Sequence, residues 1–225
     1  MTDSEALKIV AFGDSVTAGH TRAGVVQPEI AYHAKVAAAL RSRLPDQRVE
    51  VVNAGVPGDT VTEALARLDD DVIRHGPGLV LVAFGLNDAV GMRGMTGGIA
   101  GIPLFEDSLA NACARARREC GASVVLLTPN FMATSDNPNV DVMEREYLPA
   151  MTRLQTEGVV AAYAAAVRGV AADQGVAVAD VYAAWEGLAA AGRDTNELLA
   201  NGLNHPGEEG HALSAETVLA VLDPR

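Results

Sequence analysis

Apolar residues gather in five short runs: residues 7–12 (LKIVAF), 49–53 (VEVVN), 79–84 (LVLVAF), 123–128 (SVVLLT) and 176–181 (VAVADV). None alternates cleanly with polar positions, the pattern of strands covered on both faces. Helical spacing fills the intervals. Residues 31–43 carry Val36, Ala39 and Leu40 on one stripe, and in residues 60–75 Val61, Ala64, Leu65, Leu68 and Val72 recur three and four apart. Thr60 stands three before Glu63, a capping-box spacing, and His75-Gly76-Pro77 supplies the stop. Further helices are predicted over 106–119, 158–174, 181–191 and 208–222. Strands alternating with helices predict a parallel sheet in an α/β sandwich with right-handed crossovers, and ligands bind beyond the carboxyl ends of such strands.

One stretch breaks the rhythm. Residues 130–157 (NFMATSDNPNVDVMEREYLPAMTRLQTE) lie between the fourth strand and the next helix, too long for a plain connection, which points to a functional loop or lid. No repeat or second composition interrupts the chain, and residues 1–225 read as a single domain.

Charge narrows the partners. With 17 basic and 29 acidic residues the net charge is −12, which repels nucleic-acid backbones and anionic membranes. The start, MTDSEALKIV, is polar and acidic, with no secretory leader, and no apolar run approaches the ~20 residues of a membrane span. Cys113 and Cys120 stand seven apart on one predicted helix, ~10 Å along its axis, too far for a disulfide. Reduced thiols and a cytoplasmic location are expected.

The strand ends carry the chemistry. The first ends in Gly13-Asp14-Ser15, the second in Asn53-Ala54-Gly55, the third in Gly85-Leu86-Asn87-Asp88; Asn201-Gly202-Leu203-Asn204-His205-Pro206 follows late in the chain. A doubly wound sheet gathers Ser15, Gly55, Asn87 and His205 at one rim. Acyl transfer needs those types: a hydroxyl nucleophile, an imidazole to take its proton, and N–H donors for the developing oxyanion. Loss of one such donor costs about 3–4 kcal/mol of barrier. Glycine at 55 suits close approach of a ligand to the main chain. Alone, Ser15 reads equally as a helix cap, Asp14 as a turn residue, and Asn87 and Asp88 as structural; the four signatures together favour catalysis.

GDS at Ser15, the glycine at 55, G-x-N-D at residues 85–88 and the His205-Pro206 pair, in that order and over nearly the whole chain, resemble the SGNH, or GDSL-type, esterase/lipase family. The resemblance implies a flavodoxin-like three-layer α/β/α sandwich with a five-stranded parallel sheet. It implies hydrolysis of carboxylic esters through an acyl-serine, without metal or cofactor. Ser15 is then the nucleophile and His205 the base, with Ser15, Gly55 and Asn87 forming the oxyanion hole. The family's Asp-x-x-His is not met: three before His205 stands Gly202. In forms with one extra residue the acid falls at Asn201, an amide that orients the ring without charge. Asp180 and Asp194 are other candidates, as is a backbone carbonyl.

Short acyl esters, acetyl first, of a carbohydrate or small alcohol are the expected substrates. Lysophospholipid or thioester hydrolysis is the alternative, and Asn201 motivates a catalytically weak ester-binding protein as another. A nucleotide-binding flavodoxin-like domain lacks the glycine motif it needs at the first strand end. A homo-oligomer is left open. Residues 136–141 (DNPNVD) lack the glycine and closing Glu of a calcium loop, and 94–101 (GMTGGIAG) lacks a P-loop's Lys and reads as a flexible cleft wall. His75 and His211 read as capping or packing residues. Met92, Met95, Phe105, Phe131, Met132 and Met143 line either a pocket or the core.

Overall fold

The computed structural model describes residues 6–222; residues 1–5, part of the leader reading, lie outside them. The strands are β1 (Leu7–Gly13), β2 (His20–Arg22), β3 (Val25–Val26), β4 (Val49–Gly55), β5 (Leu79–Ala83), β6 (Ser123–Leu127) and β7 (Ala177–Ala179). The helices are α1 (Ser15–Ala18), α2 (Tyr32–Arg43), α3 (Val61–Ala64), α4 (Leu68–Asp71), α5 (Leu86–Val90), α6 (Ile102–Cys120), α7 (Leu148–Thr156), α8 (Val159–Gln174), α9 (Val181–Ala190) and α10 (Glu208–Leu222).

Five strands form one parallel sheet in the order β4-β1-β5-β6-β7, the doubly wound, flavodoxin-like order; β2 and β3 make a separate small hairpin. Each strand divides its residues between two apolar layers. Ile9, Leu81, Val125 and Leu127 face Tyr32, Val36, Trp185 and Val218 on one side. Val10, Phe12, Val80, Val82 and Leu126 face Leu68, Leu109, Tyr163 and Val167 on the other. Burial on both faces is why the central strands β1, β5 and β6 are largely apolar. Reversal of strand order beside β1 opens the crevice at the carboxyl ends of β1, β4 and β5.

The departures from the expected elements have local causes. The helix expected over 60–75 starts on its capping box, with Thr60 Oγ1 accepting from the Glu63 N–H, and then breaks into α3, α4 and two 3₁₀ turns. The break falls at Arg67, whose guanidinium reaches in to backbone carbonyls of two strands. The helix expected at 106 begins at Ile102, with Pro103 in a first turn where its missing N–H costs nothing. Residues 130–157 are not one loop: their second half is α7, again with a proline in its first turn. Both cysteines are free, Cys113 buried. Among the described residues no helix is long and apolar enough to cross a membrane.

Candidate active site

β1 runs out at Gly13, and Asp14 begins a single helical turn by accepting the Val16 N–H at 2.9 Å. Ser15 is the first residue of that turn, so its own N–H has no carbonyl behind it within the helix. Asp14 is buried and meets the Asn87 amide only at 3.5 Å. Burial, opposed by the Val16 N–H and reinforced by Asp88 and Asp59, pushes its carboxyl up to about 7.

Gly55 ends β4 in register with Gly13. A Cβ here would lie 2.2 Å from Ala18 N and 2.7 Å from Thr17 C. The glycine is therefore required because β4 packs directly on the backbone of α1. Arg67 ties the same corner: Nη2 donates to Gly13 O at 2.9 Å, Nη1 to Ala54 O at 2.8 Å, and Nε to Asp59 at 2.7 Å. The Asp59 carbonyl in turn accepts from Asn87 Nδ2 at 2.9 Å. The Gly55 N–H donates to Asn53 Oδ1 at 3.0 Å.

His205 arrives from the opposite end of the chain, and its Nε2 lies 2.9 Å from Ser15 Oγ. Its loop is built on Asn201, whose Oδ1 accepts three backbone N–H groups, from Leu203, Asn204 and His205, at 3.0, 3.0 and 2.9 Å. Those bonds fix which way the amide faces. Its nitrogen, not its oxygen, meets His205 Nδ1, at 3.2 Å. The same nitrogen donates to Asn204 Oδ1 and to Glu144 Oε2, each at 3.1 Å. Burial, with His20 alongside at 6.0 Å between ring centroids, holds His205 down at about 4.

Gly202, at the family's acid position, has φ +70°, and a Cβ there would come within 2.9 Å of Val140 N. Residues 130–140 fill the space an acid at 202 would need. They are stitched to the histidine loop by Ala133 N–H to Leu203 O at 2.7 Å, Asn130 Nδ2 to Asn204 O at 3.0 Å and Asn137 Nδ2 to Gly202 O at 3.1 Å. Asp180 is engaged elsewhere, with Arg168 at 2.8 Å and as the cap of α9, and Asp194 caps a 3₁₀ turn through the Asn196 N–H.

The bland readings account for much of the rest. Phe105, Phe131 and Met132 are core, while Met92 and Met143 face solvent. His211 is fully buried, stacked 6.4 Å from Tyr32. The glycine-rich 94–101 stretch is pinned rather than loose: Gly98 N–H donates to Ala89 O at 2.9 Å and Tyr163 OH to Gly98 O at 3.0 Å. A cavity of about 30 Å³ lies behind the nucleophile turn, lined by Asp14, Tyr32 and Asn130 among others. That is room for a water or two, and neither Ser15 nor His205 lines it. Among the described residues no three His, Cys, Asp or Glu side chains are grouped so as to hold a metal ion.

Sequence reasoning missed Arg67, Asp59, His20 and Glu144. Arg67 to Asp71 was readable as an i,i+4 pair, but nothing in the order of residues announced that Arg67 points inward or that Glu144 meets Asn201.

The model of the GDSL-like lipase/acylhydrolase family matches residues 11–213. An arylesterase of Vibrio mimicus is 34% identical over 116 residues, covering 46% of this chain and 51% of that protein. The esterase TesA of Pseudomonas aeruginosa is 38% identical over 100 residues, 42% of this chain and 46% of that one. The chain thus spans about half the length of these curated relatives. A solved structure of a variant of Axe2, an acetyl-xylooligosaccharide esterase from Geobacillus, superposes with a TM-score of 0.75 over 100% of this chain and 98% of its own, at 21% identity, a likeness of fold. With the family model spanning residues 11–213, nearly all of its length, the chain belongs to the GDSL-like lipase/acylhydrolase family.

Proposed function

We propose that this protein is a serine esterase hydrolysing short-chain carboxylic esters, acetyl esters first, of a carbohydrate or small alcohol. The observation that carries the reading is the 2.9 Å contact between Ser15 Oγ and His205 Nε2, made across 190 residues of chain at the rim where Gly55 and Asn87 also end. Ser15 attacks the ester carbonyl. His205 takes the hydroxyl proton at Nε2 and returns it to the leaving alcohol, and water then repeats the cycle on the acyl-serine.

The oxyanion is met first by the Ser15 N–H and by the Asn87 amide proton not committed to Asp59. Gly55 joins once the exposed Asn53 side chain releases its N–H. Acetyl preference is supported by the acetylxylan esterase of Geobacillus stearothermophilus, 33% identical over 90 residues, 36% of this chain and 39% of that one, and by the fold likeness to Axe2.

One observation favours a second reading. An amide nitrogen only donates, so the Asn201 contact suits a bare Nδ1 with the ring proton on Nε2, the tautomer that does not accept from serine. A catalytically weak ester-binding protein would show it. Hydrolysis of p-nitrophenyl acetate, butyrate and decanoate and of an acetylated xylo-oligosaccharide, by the native chain and by Ser15→Ala, separates these. The esterase reading expects Ser15-dependent turnover that falls as the acyl chain lengthens; equal rates for the two proteins would refute it, and a decanoate optimum would refute the short-acyl preference.

A further inference from the structure

We infer that Glu144, from the insert between β6 and α8, is the anionic partner of His205, acting through the Asn201 amide as a positioning residue where the family's acid is missing. The inference rests on the esterase reading for its kinetic consequences. Its starting point is a proton count. Asn201 Nδ2 has two protons and three neighbours: Glu144 Oε2 and Asn204 Oδ1 at 3.1 Å, and His205 Nδ1 at 3.2 Å. When the first two take the amide protons, Nδ1 receives none, so the amide does not hold Nδ1 as the unprotonated nitrogen, and a proton there is stabilised by the nearby carboxylate charge rather than by a hydrogen bond to the amide nitrogen.

The amide has no other way to serve the base. Turning Asn201 to offer its oxygen to Nδ1 would set its NH₂ against the three backbone N–H groups that Oδ1 now accepts. Nor does the family position offer a remedy, since Gly202 sits at positive φ with the insert backbone against it. The segment that excludes an acid at 202 is the one that delivers a carboxylate to Asn201.

Glu144 and His205 Nδ1 contact one nitrogen, so the Oε2 atom lies no farther from Nδ1 than the sum of those two short contacts. Its charge does two things at that range. It favours the tautomer with the proton on Nδ1, leaving the Nε2 lone pair toward Ser15. It also stabilises the imidazolium that forms as Ser15 gives up its proton. Three other groups face the ring: Ser15 from α1, His20 from β2, and His211 from α10. None is an anion at neutral pH, and Glu144 is the carboxylate that the Asn201 amide links to His205.

Glu144→Gln isolates the charge, because the new amide oxygen still accepts from Asn201. The expected result is a kcat about ten- to a hundredfold lower with KM little changed. The acid limb of kcat/KM and the His205 titration followed by NMR should both move down by about one pH unit, equivalent to a tenfold change in the equilibrium. The ring nitrogen shifts should move toward the Nε2–H tautomer. Adding Asn201→Asp to Glu144→Gln should restore kcat and the limb, since one Asp oxygen keeps the three N–H bonds and the other meets Nδ1. A role confined to bracing the insert would leave all these readouts where they are in Glu144→Gln. Unchanged titration and kcat in Glu144→Gln, or a double variant no better than the single, would overturn the inference. If Ser15→Ala shows that the native chain is no esterase, the NMR titration still decides whether Glu144 governs His205.

Discussion

Replacing Arg67 with methionine keeps the aliphatic stem against Phe12 and removes the guanidinium. That group sits 4.7 Å above the Phe12 ring and is only 18% exposed. It bonds Asp59 at 2.7 Å, Asp71 at 2.7 Å, Ala54 O at 2.8 Å and Gly13 O at 2.9 Å. Summing four charge-assisted bonds at about 1.5–3 kcal/mol each would overshoot, because each replaces a bond to water. Removing one partner of a buried pair costs about 3–5 kcal/mol. Two features place this case at the low end. Asp71 is 34% exposed and regains water, and Asp59 keeps Arg93 at 3.2 Å. About 3 kcal/mol remains, chiefly from a carboxylate 5% exposed and from two strand-end carbonyls that each lose a charged donor, although Gly13 O keeps the Val56 N–H at 3.0 Å. For a chain of this size that is about 6–12 °C in Tm. Arg67→Lys retains a charge without the fork and should lose about half as much. Urea and thermal unfolding of both variants, followed by two probes to check two-state behaviour, provide the measurement. Ester hydrolysis should fall as well, since Asp59, which Arg67 holds, carries the carbonyl that orients Asn87. A methionine variant within 1 kcal/mol of the native chain would refute the view of Arg67 as the clamp between β1 and β4.

Two further outcomes follow from the same geometry. Asp14 has a folded pKa near 7 against 3.8 for the free group, so its contribution is complete below 3.8 and is lost as pH rises toward 7. Asp14→Asn keeps an oxygen for the Val16 N–H, and its stability relative to the native chain should grow by about 2 kcal/mol between pH 5.5 and pH 8.5 in urea titrations, nearly all of it below pH 7. The buried histidines are common to both proteins and cancel, so parallel pH profiles would count against a buried, protonated Asp14. Gly202→Ala combines positive φ with a Cβ 2.9 Å from Val140 N, whereas Gly158→Ala combines positive φ with open space. The first should lower Tm by clearly more than the second, whose cost is about 1–2 kcal/mol of left-handed backbone; equal losses would mean that residues 137–140 do not press on the histidine loop.

What could be read along the chain was whatever short-range order encodes. The largely apolar runs at β1, β5 and β6, without clean alternation, announced strands covered on both faces, and Thr60 with Glu63 announced a helix start that is present atom for atom. Asp14 was recognisable as a turn residue because its bond is local, two residues away. Long-range side-chain geometry was legible only where the four signatures carried it, bringing Ser15 to His205, and not elsewhere. Arg67 carries no local signal of its inward turn, since the strand-end carbonyls it meets are 13 and 54 residues away. The β2–β3 hairpin is too short for its pattern to stand out. The break in the 60–75 helix is imposed by tertiary bonds against a favourable local pattern. Glycine at 55 was noticed for a reason that concerns ligands, while the contact that demands it is with Ala18.

That contact has a consequence for how this molecule tolerates change. The turn that carries the hydroxyl at position 15 rests main chain on main chain, with Gly55 against Ala18, and the Asp14 carboxyl holds its start. Cleft walls can therefore diverge, or be redesigned for a bulkier alcohol, without displacing the reacting oxygen, provided the two small residues under the turn are left alone.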